Sequence, residues 1–100
     1  MTPDGKKRCE EILTAAVSLA MSHGYDRMTR DQVAALAGCS TGLVNNYYST
    51  MTQLRRAVVR HAIKNELLPI VAQALVAKDP HIRKAPDDLR RRALDGLMTA

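Results

Sequence analysis

The sequence predicts an all-α fold, and three observations carry that prediction. Apolar residues make up 46% of the chain but are mostly Ala, Leu and Val, with three tyrosines, no phenylalanine and no tryptophan. Such a composition builds a core from many small helix-packing contacts rather than a few large rings. The apolar positions recur at helical spacing, and the breaks between them fall at capping residues, glycines and prolines. At 100 residues and 11.0 kDa there is room for one domain with a core of useful size.

The first helix is expected over about Lys6 to Ser22, where Cys9, Ile12, Leu13, Ala16, Val17 and Ala20 share one face. Gly24 stops it by taking the left-handed conformation at low steric cost. Thr29-Arg30-Asp31-Gln32 has the T-x-x-Q form of a capping box, so a second helix starts at Arg30. That helix is short: Val33, Leu36 and Ala37 are its inward positions and Gly38 ends it. Ser40 is an N-cap for a third helix, Thr41 to Tyr48, after a turn of only Gly38-Cys39-Ser40.

Ser49-Thr50 caps a longer fourth helix from Met51. Its inward arc is Met51, Leu54, Val58 and Ala62, and its outward stripe is Gln53, Arg56, Arg60 and Lys64. Pro69 lacks an amide donor and disfavours helical geometry at Leu68, which places the end near Leu67. "PIVAQALVAKD" reads as a fifth helix, "DPHIRKAP" as a connecting loop, and "DDLRRRALDGLM" as a final helix. The organisation expected is a helix-turn-helix unit over 1–67 and a helical extension over 68–100 packed on it.

The residues exclude several function classes. Cys9 and Cys39 fall on positions marked as buried and are too few for a typical metal cluster, so neither a disulfide nor zinc is expected. His23, His61 and His81 have no partner at metal-ligand spacing, and no nucleophile-base or paired-carboxylate arrangement stands out, so no catalysis and no cofactor are expected. No run approaches the roughly 18 apolar residues of a membrane span. The start "MTPDGKKRCEE" has no hydrophobic signal segment, and a cytoplasmic protein is expected. The net charge of +5 favours a polyanionic partner. Residues 1–50 carry five basic and five acidic side chains, whereas residues 51–100 carry ten and five, so the excess lies in the second half.

Two short helices joined by a tight glycine-containing turn, the second polar on its outer face, have the helix-turn-helix form. From Arg30, apolar Val33, Ala37, Cys39, Val44 and Tyr47 stand where the two helices must pack, and small Ala34 stands at their closest approach. In its wider context the stretch from Ile12 to Val59 resembles the N-terminal domain of the TetR family of transcriptional regulators. The landmarks are the Ala-rich first helix, Gly24-Tyr25, the capped second helix, Gly38-Cys39-Ser40, Gly42, Tyr47-Tyr48 and Leu54.

The resemblance implies a sequence-specific regulator that binds double-stranded DNA; repression by occupying an operator is the default expectation, and a homodimer is expected because one short reading helix gives limited specificity. The resemblance also implies that Thr41, Gly42, Leu43, Asn45 and Asn46 face the major groove, that the Tyr47 hydroxyl reaches a phosphate, and that Tyr48 sits in the core. Arg30 and Arg56 are further candidate contacts. Asparagine can bond adenine N6 and N7 as a donor-acceptor pair, so this face favours sites with A·T pairs. The chain departs from the family at Met51, where a lysine is usual, and at Asn45, where tyrosine is common. The stretch after the fourth helix is shorter than the family's effector-binding domain, so no small-molecule effector is expected. Two other readings fit the same residues: an activator or a replication or partition accessory on this fold, and a protein-interaction module that antagonises another regulator.

Overall fold

The computed structural model describes residues 3–99, with side chains over 5–98. Six α-helices and one 3₁₀ turn follow in order: α1 Pro3–His23, α2 Arg30–Ala37, α3 Thr41–Tyr47, α4 Met51–Lys64, α5 Leu68–Val76, the 3₁₀ turn Pro80–Lys84, and α6 Asp87–Thr99. No strand occurs among the described residues, and no helix there is long and apolar enough to cross a membrane.

The centre of the molecule is α4. Leu54, Val58, Val59 and Ala62 are all fully buried, because α4 packs on α1 on one side and on α5 and the 3₁₀ turn on another. From α1 come Ile12 and Leu19 together with Ala15, Ala16 and Ala20, the three alanines being small enough to let helix axes approach closely. This stripe differs from the expected one: Ala15 and Leu19 are buried, whereas Cys9, Leu13 and Val17 are only half-buried. Cys9 and Cys39, expected to be buried, are half-buried free thiols.

The extension completes the core rather than merely covering it. Ile70, Val71, Ala72 and Ala74 of α5 and Leu89 and Ala93 of α6 belong to the same buried cluster as the α1 and α4 residues. Two hydrogen-bond ties lock the halves together at the α1–α2 turn. Gln73 accepts from the Tyr25 backbone N–H at 2.7 Å and donates through Nε2 to the Ala20 carbonyl at 3.2 Å. One amide side chain thereby satisfies a donor and an acceptor at the end of α1, where Gly24 at φ +102° turns the chain. The Tyr25 hydroxyl donates to Asp79 Oδ2 at 3.2 Å, and Asp79 Oδ1 caps the 3₁₀ turn by accepting from the His81 backbone N–H at 2.9 Å.

Two expectations are corrected here. The "DPHIRKAP" segment is not an open loop: Asp79 caps it, Pro80 starts a 3₁₀ turn, and Ile82 and Ala85 plug into the core. The fourth helix ends at Lys64, before Leu67, because Glu66 takes φ +54° and the Leu67 amide bonds back to the Ala62 carbonyl.

The Tyr25 tie sets a pH window. Burial, reinforced by the charge and hydrogen bond of Asp79, pushes the Tyr25 phenol up to about 12 from an ordinary value of 10.0. The folded state therefore prefers the protonated phenol more than the unfolded chain does. Its contribution is fully present below pH 10 and is lost as pH rises to about 12. Chemical unfolding at pH 9 and pH 12 should show this loss, on the order of 2–3 kcal/mol, and Tyr25→Phe should show a correspondingly smaller one.

Candidate nucleic-acid interface

The site is built from short helices whose ends are closed by side chains. At the start of α2, Thr29 Oγ1 accepts from the Gln32 amide at 3.2 Å and Gln32 Oε1 accepts from the Thr29 amide at 3.0 Å, the reciprocal capping box. At its end Gly38 adopts φ +73°, ψ +36°, which lets the Cys39 amide reach the Ala34 carbonyl at 3.0 Å and the Gly38 amide reach Ala35 at 3.3 Å. That Schellman closure reverses the chain in three residues and delivers Ser40 to the next helix. Ser40 Oγ accepts from the Leu43 amide at 3.1 Å and starts α3.

After α3 a second T-x-x-Q stretch, Thr50 to Gln53, closes the start of α4. Thr50 Oγ1 accepts from the Gln53 amide at 3.1 Å, and Gln53 Oε1 accepts from both the Ser49 amide at 3.1 Å and the Ser49 hydroxyl at 2.9 Å. Gln53 is exposed on α4, as expected, and also ties that helix to the connector. The motif was readable, since it has the same form as the box at Thr29.

The inward face of α3 is Val44, fully buried, with Tyr47 and Tyr48 half-buried against the core. The Tyr48 hydroxyl lies 3.4 Å from Cys9 Sγ on α1, a contact across 39 residues that spacing alone does not reveal. Burial, followed by the Cys9 contact, holds the Tyr48 phenol above its ordinary range, so it stays protonated at neutral pH.

On the other face Thr41, Gly42, Asn45 and Asn46 are exposed together. Leu43, expected with them, is instead half-buried and packed against the core. The reason is angular: one residue from Val44, it sits at the boundary of the two faces. Gly42 is not required by the fold. Its φ is not positive, and a Cβ there would meet only Ser40 Oγ, at 3.8 Å.

Arg30, half-buried, donates from Nη2 to the Ser49 carbonyl at 3.4 Å, and its Nε is shielded without a partner. The guanidinium thus bridges the start of α2 and the α3–α4 connector. Arg56 is exposed on α4, at a cleft of about 470 Å³ that also holds Tyr25, Thr52, Arg55, Lys78 and His81. Leu36, expected inward on α2, is 55% exposed and borders a groove against α1 with Lys7 and Glu11.

Two capped helices joined by a three-residue turn, the second with a polar outer face and an apolar face that packs on α2 and into the shared core, make a helix-turn-helix unit of the DNA-binding kind. Residues 12–58 match the family model described as bacterial regulatory proteins, tetR family. This stretch is a TetR-type N-terminal helix-turn-helix domain, and with it the chain has the DNA-binding unit of a transcriptional regulator. Comparison with curated proteins and with solved structures gave no significant match.

Two substitutions at Tyr48, the residue that closes α3, should separate packing from hydrogen bonding. Tyr48→Ala should lower unfolding free energy by about 3–5 kcal/mol through lost packing. Tyr48→Phe keeps the ring and removes only the hydroxyl beside Cys9, so its cost should stay within about 0.5–1.5 kcal/mol. Urea unfolding of the two variants checks both values.

Proposed function

We propose that the protein is a sequence-specific repressor that occupies an operator as a homodimer, with α3 in the major groove. The observation that carries this reading is the exposure of Thr41, Gly42, Asn45 and Asn46 together on a helix whose opposite face is anchored. Polar side chains held on a rigid element can read base edges. Asn45 and Asn46 present amides suited to adenine, and Gly42 lets the backbone come close to the duplex. Leu43 touches a thymine methyl with the part of its side chain left uncovered.

Phosphate contacts position the helix. The Tyr47 hydroxyl and Arg56 are assigned to them, and Arg30 contributes from the first turn of α2 while holding the connector. Because α3 is one short helix, a single copy offers limited specificity, and two half-sites about one helical turn apart multiply it. The pairing surface we assign lies on α6. Ile70, Val71 and Leu89 are consumed by the protein's own core, whereas Leu94 and Leu97 of α6 are 44% and 47% exposed and Met98 is 84% exposed. Leu94, Leu97 and Met98 stand at i, i+3 and i+4 and form one apolar strip, flanked by a groove lined by Leu68, Pro69, Ala72 and Ala93.

Selection of bound sites from a random duplex pool tests the reading and supplies the operator. On the selected site Asn46→Ala should cost about 1–3 kcal/mol and relax preference at one or two base pairs. Gly42→Ala should leave the melting temperature unchanged or higher while weakening binding. Arg56→Ala should weaken all sequences alike and reduce the slope of log K against log salt by about 1. If both asparagine variants fold and bind as the parent does, α3 does not read DNA in this orientation.

The dimer has its own test. Leu94→Asp with Leu97→Asp should give a monomer in sedimentation, with an unchanged circular dichroism spectrum and a weakened grip on the selected two-half-site duplex. A parent protein that is monomeric at all concentrations and binds one unrepeated half-site contradicts pairing.

A further inference from the structure

Ordering of the segment after α5 into a 3₁₀ turn brings together basic residues that lie far apart in sequence. Between α4 and this turn is a cleft of about 200 Å³ lined by Arg60, Ile63, Lys64, His81 and Lys84. Three of these five residues carry fixed positive charge and none is acidic. Arg60 and Lys64 are one helical turn apart on α4, and the buried Ile82 pins the turn that carries Lys84.

No ion pair among the described residues neutralises Arg60, Lys64 or Lys84; those formed join Arg8 to Glu11, Arg90 to Asp87 and Arg92 to Glu66. Of the carboxylates close in sequence, Glu66 is paired with Arg92, Asp87 with Arg90, and Asp79 is engaged by the Tyr25 hydroxyl and the His81 amide. Like charges converging without a counter-charge destabilise the fold, and an anion bound between them relieves that repulsion.

We propose that this cleft binds the phosphoryl group of a small anionic molecule. The planar fork of Arg60 supplies paired donors to two oxygens, and Lys64 and Lys84 close on the group as point charges. The volume suits a compact anion rather than a large organic ligand, whose sites run to roughly 300–1,000 Å³. It is therefore a surface subsite and not the enclosed effector pocket that the sequence argued against. A duplex seated on α3 is a poor occupant. Arg60 lies about 15 Å along α4 from the Thr50 cap that follows α3. The inference stands independently of the reading of α3.

Inorganic pyrophosphate is the probe, titrated calorimetrically into the full chain at constant ionic strength set with sodium chloride. One saturable site per chain is expected, weakened at least tenfold in the Arg60→Gln, Lys84→Gln double variant. Pyrophosphate should raise the melting temperature of the parent and not of the variant. Without anion the variant should melt at or above the parent, since repulsion has been removed, so misfolding cannot mimic the result. Heats that do not saturate, or equal binding by parent and variant, overturn the proposal. A variant that binds pyrophosphate as the parent does but loses DNA affinity, with a shallower salt dependence, assigns the cleft to the DNA backbone and also overturns it.

Discussion

A seven-residue helix does not persist in water by itself, because nucleation costs more than so few backbone hydrogen bonds return. That constraint on α3 explains most of what surrounds it. Ser40 closes its start, the Tyr48 amide bonds back to the Val44 carbonyl at its end, and the Thr50–Gln53 cap fixes the chain immediately beyond. Val44 is fully enclosed, and Tyr48 extends the anchorage to Cys9 on the far side of the core. The outer face is thereby freed from any structural duty, which is why Gly42, Asn45 and Asn46 could be given over to another purpose.

The same logic extends inward. α2 and α3 need a platform, and α1 with α4 supplies it through a buried cluster of alanines and branched aliphatic residues. That platform would itself be open on one side without α5, whose Ile70 and Val71 are as buried as anything in α4. The Gln73 and Asp79 ties act at the α1–α2 turn, the point from which α2 departs. Stability of the extension and orientation of the helix-turn-helix are therefore linked through Tyr25 rather than set independently.

How much of this was legible in the sequence follows from the range of each interaction. The capping box at Thr29, the Gly38 reversal and the Ser40 cap act within five residues, and their residue types announce them. The positions of α2, α3 and the start of α4 followed directly. Periodicity places Leu36 inward because it identifies an apolar stripe but not how far a partner helix covers it. Leu43 sits one position from the buried Val44, where inward and outward are not separable by spacing. The ties of Gln73 to Ala20 and Tyr25, and of Tyr48 to Cys9, join residues 39 to 53 apart and leave no local trace. The 3₁₀ turn was hidden by its two flanking prolines, which signal irregular backbone whether or not Ile82 is buried.

The proposed role of α3 requires a rigid helix whose exposed polar face meets DNA. The most direct measurement is the backbone amide spectrum of the isotopically labelled protein, recorded with and without a duplex carrying the selected site. The account predicts that the largest perturbations fall on residues 41–47 and on the first turn of α2, with amides of the buried α4 positions little changed. Perturbations confined to α5 and α6, or spread evenly over basic residues with none concentrated on α3, would contradict it.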